Sequence, residues 1–188
     1  MEKRKLARIH FPGHGRVLEI GCSTGNIAPA FGPMDGVSYL GVDIDPAVIE
    51  YARKVFSRIP GFDFRIVEAA RPDFGTAVFD YVLIAGVLHH VGDEDCRKLV
   101  SAAADAAQHD GIVVVSEPLL PQPEDPFLVR QFIRLEQGAH VRTESHLRSL
   151  LSSVPGVRII AAEQSLIGAT PVGWPKVARF SVFALKKA

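Results

Sequence analysis

The segment Glu19-Ile20-Gly21-Cys22-Ser23-Thr24-Gly25-Asn26 joins a short apolar run to a turn made of small residues. Glycines at a strand end, where the chain passes into a helix, let backbone approach a ligand closely. Asp43 lies 22 residues after Gly21, at the end of a second apolar run. An acidic side chain there can accept hydrogen bonds from both hydroxyls of a ribose. Asp45-Pro46 makes the better helix start, an N-cap followed by a first-turn proline, which leaves Asp43 for a ligand. Leu88-His89-His90-Val91 follows a fourth apolar run, and a histidine there titrates in a range useful for proton transfer. Glu117-Pro118 ends a fifth run, where open α/β sheets bind their ligands. Glu117 reads equally well as a contact for a polar acceptor group and as the partner of an arginine.

The glycine loop departs from the dinucleotide fingerprint. Ser23 stands at its second glycine, and Ala28 stands three residues after Gly25, at the third. The middle glycine makes room for a pyrophosphate, so a nicotinamide or flavin cofactor is disfavoured. Cys22 reads as a small packing residue, because no base stands at a diagnostic position. His89 and His90 do not form a metal signature: adjacent side chains are expected to diverge, no carboxylate has ligand spacing, and no metal is expected.

These residues need elements to position them. Arg16–Ile20, Ser38–Val42, Asp63–Val67, Phe79–Ala85 and Ile112–Ser116 read as five strands. Phe79–Ala85 is apolar enough to be buried on both faces. Between them, Val48, Ala52, Val55 and Ile59 repeat at helical spacing after Pro46. Asp93 is read as the cap of a helix carrying Cys96, Leu99 or Val100, Ala103 and Ala107, stopped by Asp110-Gly111. This rhythm implies a parallel sheet covered by helices. A proline-rich, cap-like insertion at about 118–142 then enters a helix, Phe127–Gln137. Thr143 is the N-cap of another helix with Leu147, Leu150 and Leu151 inward. Val157–Glu163 and Arg179–Leu185 are too close for a covering helix, so the last strand enters antiparallel. The connecting loop, 166–178, is long enough to border a site.

Composition narrows the partner class. The 188 residues hold 21 basic and 21 acidic side chains, which argues against a nucleic-acid-binding surface spread over the chain. The neutrality is uneven: residues 17–95 carry twelve acids against five bases. Two cysteines are too few for a disulfide framework, so a reduced, cytoplasmic setting is expected. No signal peptide and no apolar run of membrane-spanning length is evident, and no membrane partner is expected.

VLEIGCSTGNIAPAF (17–31) followed by YLGVDIDPAVIEYARKVF (39–56) resembles the first two motifs of class I S-adenosylmethionine-dependent methyltransferases. FDYVLIAGVLHHVGDEDCRKLV (79–100) is similar to their fourth-strand motif, and GIVVVSEP (111–118) to their fifth strand. GAHVRTESHLRSLL resembles the region before the sixth strand in small members of the family. The resemblance implies a single domain over 1–188, a Rossmann-like three-layer α/β sandwich. Its seven-stranded mixed sheet would have the order 3-2-1-4-5-7-6. It implies S-adenosylmethionine as cofactor, with Glu19, Gly21, Cys22 and Gly25 around the methionine moiety and ribose, and Asp43 on the ribose hydroxyls. Ile44 would pack on the adenine, Glu68 and Ala69 would lie near its amino group, and Ala85 and Gly86 would line the methionine side. A sulfonium is a fixed cation, which suits the acidic half of the chain electrostatically.

Methyl transfer from a sulfonium is an in-line displacement with a good leaving group, so alignment does most of the work. A base is needed only when the acceptor must lose a proton. His89 is the candidate for that role, and His90, Glu117, His140 and Arg142 are candidate acceptor contacts. Neutral charge and the short insertion favour a small-molecule acceptor, methylated on oxygen, nitrogen or carbon. Two alternatives stand beside this reading: a cofactor-binding regulatory protein without catalysis, and a nicotinamide-dependent oxidoreductase. Little sequence precedes the first strand, so the pocket is expected to be open, or completed by a partner chain or a second copy in a homodimer.

Overall fold

The computed structural model describes residues 2–68, 73–133, 138–169 and 174–188. Seven strands form one sheet: β1 (Gly15–Ile20), β2 (Val37–Asp43), β3 (Phe62–Ile66), β4 (Phe79–Ala85), β5 (Ala107–Pro118), β6 (Val157–Gly168) and β7 (Lys176–Lys187). Their order is β3-β2-β1-β4-β5-β7-β6. The pairs from β3 through β5 are parallel. β7 enters antiparallel between β5 and β6. The fold class and strand order are those expected from the sequence.

Helices α1 (Glu2–Leu6), α2 (Pro46–Phe56), α3 (Asp93–Ala106), α4 (Phe127–Phe132) and α5 (Glu144–Ser152) surround the sheet. Alternation along the strands divides the core in two. On one face Leu18, Val82, Ile84, Val113 and Phe183 meet Cys96, Val100 and Ala103 of α3 and Leu147, Leu150 and Leu151 of α5. On the other, Val17, Tyr39, Phe64, Tyr81 and Val114 meet Ile49, Ala52 and Phe56 of α2, with Phe31 and Ala7. Each apolar side chain fully withdrawn from water there contributes about 1.5–3 kcal/mol. No helix among the described residues is long and apolar enough to cross a membrane.

Several local expectations are corrected. The buried stripe of α2 is Ile49, Ala52 and Phe56, whereas Val55 is 52% exposed. The aromatic Phe56 has Phe64 to stack on, with ring centroids 5.3 Å apart, and that contact sets the helix's rotation. α3 ends at Ala106 and the chain enters β5 at once, so Asp110-Gly111 lies inside a strand. The β4–β5 register is irregular there, between the Phe79–Ala107 and Tyr81–Ile112 pairs. Gly92, not Asp93, is the N-cap of α3. The insertion helix starts at Phe127 as expected and runs to Phe132, and residues 134–137 of its expected span lie outside the described residues. β6 and β7 extend well into the loop expected at 166–178. After the glycine loop the first crossover holds only a three-residue 3-10 turn, Ala28–Ala30, before β2.

Two expected caps are present. Asp45 accepts from the Ala47 amide at 2.8 Å, and Thr143 accepts from the His146 amide at 3.2 Å.

Candidate functional site

The carboxyl ends of β1, β4 and β5 open into a cavity of about 290 Å³. Its lining includes Glu19, Gly21, Cys22 and Ser23 from the β1 loop, and Ala85, Gly86, His89 and His90 from the end of β4. Ser116 and Pro118 of β5, Phe180 of β7 and Lys3 of α1 complete its other side. The parallel strands place these ends together, as open α/β sheets do.

The β1 loop requires unusual backbone. Gly21 has φ +74, and a Cβ there would meet Val87 Cγ2 at 2.3 Å. Gly25 has φ +79, and a Cβ there would meet Phe56 Cε2 at 2.5 Å. Gly25 is therefore fixed by packing on the aromatic core and does not line the cavity. Ser23 adopts φ +48, a left-handed position that a glycine would take without a steric penalty.

Asp43 stands outside the enclosed part of the cavity and orders the loop. Its Oδ2 accepts from the Ser23 amide at 2.8 Å and its Oδ1 from the Asp45 amide at 3.1 Å. A carboxylate has about four acceptor sites, so two remain for ligand hydroxyls. Ile44 is 61% exposed beside it. Glu68, just beyond β3, is also exposed. Ala69 lies outside the described residues.

Glu19 is the buried acid of the site. It is 2% exposed and accepts from the Tyr39 hydroxyl at 2.5 Å. Burial pushes its carboxyl up to about 8; the Tyr39 hydrogen bond opposes this, and the Asp43 charge adds to it. Burial, with Glu19 and Asp43 nearby, also pushes the Cys22 thiol up, so Cys22 is not a thiolate nucleophile.

Among the described residues Glu117 pairs with no arginine. It is 2% exposed. Its Oε1 accepts from the Val87 and Leu88 amides, both at 2.8 Å, and its Oε2 from the His89 amide at 3.2 Å. Oε2 also lies 2.8 Å from His89 Nδ1. Thus Glu117 stitches β5 to the 3-10 turn Leu88–His90 and orients the His89 ring. His89 is 5% exposed and lines the cavity. Its ring does not diverge from that of His90: the centroids are 4.0 Å apart, because the 3-10 turn folds the two side chains together.

Arg142 belongs to the scaffold. It is 6% exposed. It donates to the carbonyls of Leu88, His140 and Val91 and to Asp93 Oδ1. A guanidinium has five N–H groups, and five such bonds occupy them, which corrects its reading as an acceptor contact. Hydrogen bonds from Arg142 and His146 hold the Asp93 carboxyl below its ordinary range. The His140 side chain is exposed and outside the cavity lining, while its amide donates to the His89 carbonyl at 2.9 Å. Gly138 packs on the same histidine: a Cβ there would meet His89 Cδ2 at 2.1 Å.

Sequence reasoning missed Lys3, Phe180 and the tyrosine partner of Glu19. It also missed Asp125, which is buried and paired with Arg179 and fixes the insertion to β7. An acid beside Glu124 in a proline-rich stretch and an arginine 54 positions later leave no periodic signal.

The residues fit a cationic, ribose-bearing ligand. A buried acid lines the enclosed end, left-handed loop backbone surrounds it, and a carboxylate with open acceptor sites stands beside exposed Ile44. Residues 18–113 match the family model of the methyltransferase domain. No curated protein matches the sequence. Among solved structures, the chain is similar to the mitomycin 7-O-methyltransferase MmcR, at 20% identity and TM-score 0.74. That match covers 99% of this chain but 52% of the other, so the chain spans about half of that enzyme. It is also similar to an S-adenosylmethionine-dependent methyltransferase from Methanosarcina mazei, at 17% identity and TM-score 0.75, covering 96% of each chain. A third similar structure is the [4+2]-cyclase SpnF, at 14% identity and TM-score 0.76, covering 99% of this chain and 80% of that one. Likeness at these identities shows the fold alone, and the cyclase carries it with a different named reaction. The match over residues 18–113 carries the assignment: the chain belongs to the methyltransferase domain family, and its cofactor is S-adenosylmethionine.

Proposed function

We propose that the chain transfers the methyl group of S-adenosylmethionine to a small-molecule acceptor, on oxygen, nitrogen or carbon. One observation carries this reading: the glycine loop, Glu19, Gly86 and the Glu117-held His89 converge on one cavity at the strand ends. When bound, the cofactor supplies an electrophilic methyl group on a sulfonium.

The chain's own residues then have distinct tasks. Gly21, Cys22, Ala85 and Gly86 present backbone and small side chains to the methionyl end. Glu19 offsets the cationic charge. Asp43 presents its open acceptor sites to the ribose, with Ile44 and Glu68 beyond it toward the adenine. His89 is the candidate base. With Nδ1 donating to Glu117, the basic atom of its ring is Nε2. His90 lines the acceptor side. The single domain spans 1–188, and its insertion covers His89 through Gly138 and His140. A cytoplasmic setting remains part of this reading, as does a second copy or partner chain completing the open side.

The test is calorimetry with S-adenosylhomocysteine, followed by transfer of labelled methyl from S-adenosylmethionine across a panel of acceptors. Saturable binding with turnover on one acceptor class supports the reading. Binding without turnover on any acceptor favours a regulatory role, for which the cyclase neighbour is a reminder that this fold hosts other chemistry.

A further inference from the structure

The two sides of the cavity differ in charge. The β1 side carries Glu19, turned toward Tyr39. Among the described residues the β5–β7 side carries no available acid. Glu117 spends both oxygens on the Val87, Leu88 and His89 amides and the His89 ring. Asp125 is held by Arg179. What faces the cavity there is Lys3, His90, Ser116, Pro118 and Phe180.

Phe180 and Pro118 are direct partners in the antiparallel β5–β7 register, so they form a flat apolar wall. Lys3 lies over the Phe180 ring, with Nζ 5.4 Å from its centroid. Among the described residues Lys3 forms no ion pair; its side-chain contact is this ring. α1 is held in place by the next turn of chain: Ala7 is buried, and the Tyr81 hydroxyl donates to the Ala7 and Ile9 carbonyls, both at 2.8 Å. Arg4 Nε donates to the Asn26 carbonyl at 2.9 Å, which anchors α1 to the glycine loop.

A lysine and a sulfonium that line one cavity of about 290 Å³ repel each other. An anion between them relieves both. A flat ring against Phe180 adds the stacking geometry that aromatic pairs favour.

We infer that the acceptor is a small aromatic carboxylate, with its anion on Lys3 and its ring against Phe180 and Pro118. This deepens the methyl-transfer reading and rests on it. The carboxylate of the cofactor's own methionyl end is the competing source of the same charge, and the experiment separates the two.

The protein is saturated with S-adenosylhomocysteine and titrated with benzoate and with its neutral isostere benzamide, in wild type, Lys3→Met and Lys3→Arg. Benzoate is expected to bind at least tenfold more tightly than benzamide in wild type and in Lys3→Arg, and the preference is expected to vanish in Lys3→Met. Equal binding of the two probes in wild type, or no binding of benzoate, overturns the inference. A tenfold or greater loss of S-adenosylhomocysteine affinity in Lys3→Met also overturns it, because Lys3 then serves the cofactor. Failure of S-adenosylhomocysteine to bind wild type at all removes the methyl-transfer reading beneath it.

Discussion

Glu19 is expected to make cofactor binding a proton-releasing event. Its carboxyl, pushed up to about 8 by burial, is largely protonated at neutral pH in the ligand-free protein. A cation placed against it favours the ionised form. If occupancy returns the group to its ordinary value of 4.5, binding at pH 7 releases roughly 0.9 proton. On the same basis affinity falls about 90-fold from pH 9 to pH 6, or ~2.7 kcal/mol. The assay is titration calorimetry with S-adenosylmethionine in phosphate and in Tris at pH 7. The difference in heats counts the protons, and Glu19→Gln subtracts those of the ligand itself. The mutant should release about 0.9 fewer protons than wild type and should lose most of the pH slope. Equal proton counts in wild type and mutant, or a flat affinity between pH 6 and 9, would refute the reasoning. The same shift fixes a sign for stability. Between 4.5 and about 8 the folded ligand-free protein keeps a proton that the unfolded chain has lost. Stability should therefore fall as pH rises through that window and level off above it.

Four further outcomes are expected. Asp43→Ala should weaken cofactor binding by roughly 1.5–3 kcal/mol, the scale of charged hydrogen bonds, read by calorimetry; an unchanged dissociation constant would remove Asp43 from the site. His89→Gln should lower kcat by about 100-fold or more with little change in cofactor affinity; equal kcat across pH would exclude a base. Asp125→Ala leaves the largely buried Arg179 unpaired and should cost ~3–5 kcal/mol in denaturant unfolding, whereas a loss under 1 kcal/mol would make the pair a minor anchor. Gly25→Ala combines left-handed backbone with a clash on Phe56 and should destabilise by about 2 kcal/mol or more in the same assay, while wild-type stability would contradict the packing role.

The parallel strands, the antiparallel last strand and Asp43 beside the glycine loop were legible because they follow from local pattern, whereas the strand order came from the family resemblance. Five apolar runs separated by helical spacing leave few topologies, and the crowded end of the chain leaves room only for a hairpin. The roles of Glu117 and Arg142 were not legible. Glu117 accepts from amides some 30 positions away, and Arg142 donates to carbonyls about 50 away. No periodicity records such pairs. The face of α2 was misread because Val48, Val55 and Ile59 keep helical spacing as well as the true stripe does. Only the aromatic partner on β3 decides between them. Lys3 was invisible as a site residue for a similar reason: a basic N-terminal turn reads as solvated until β7 brings Phe180 beneath it.

Besides the cavity of about 290 Å³ at the strand ends, another of about 300 Å³ lies beside Arg16, Asp63 and Arg65. The most direct test is a crystal structure of the protein with S-adenosylhomocysteine. The sulfur is predicted to lie in the first cavity, between the Glu19–Gly21 backbone and Ala85–Gly86, with the ribose hydroxyls on Asp43. A ligand in the second cavity, or one that leaves Glu19 and Asp43 untouched, would contradict the account.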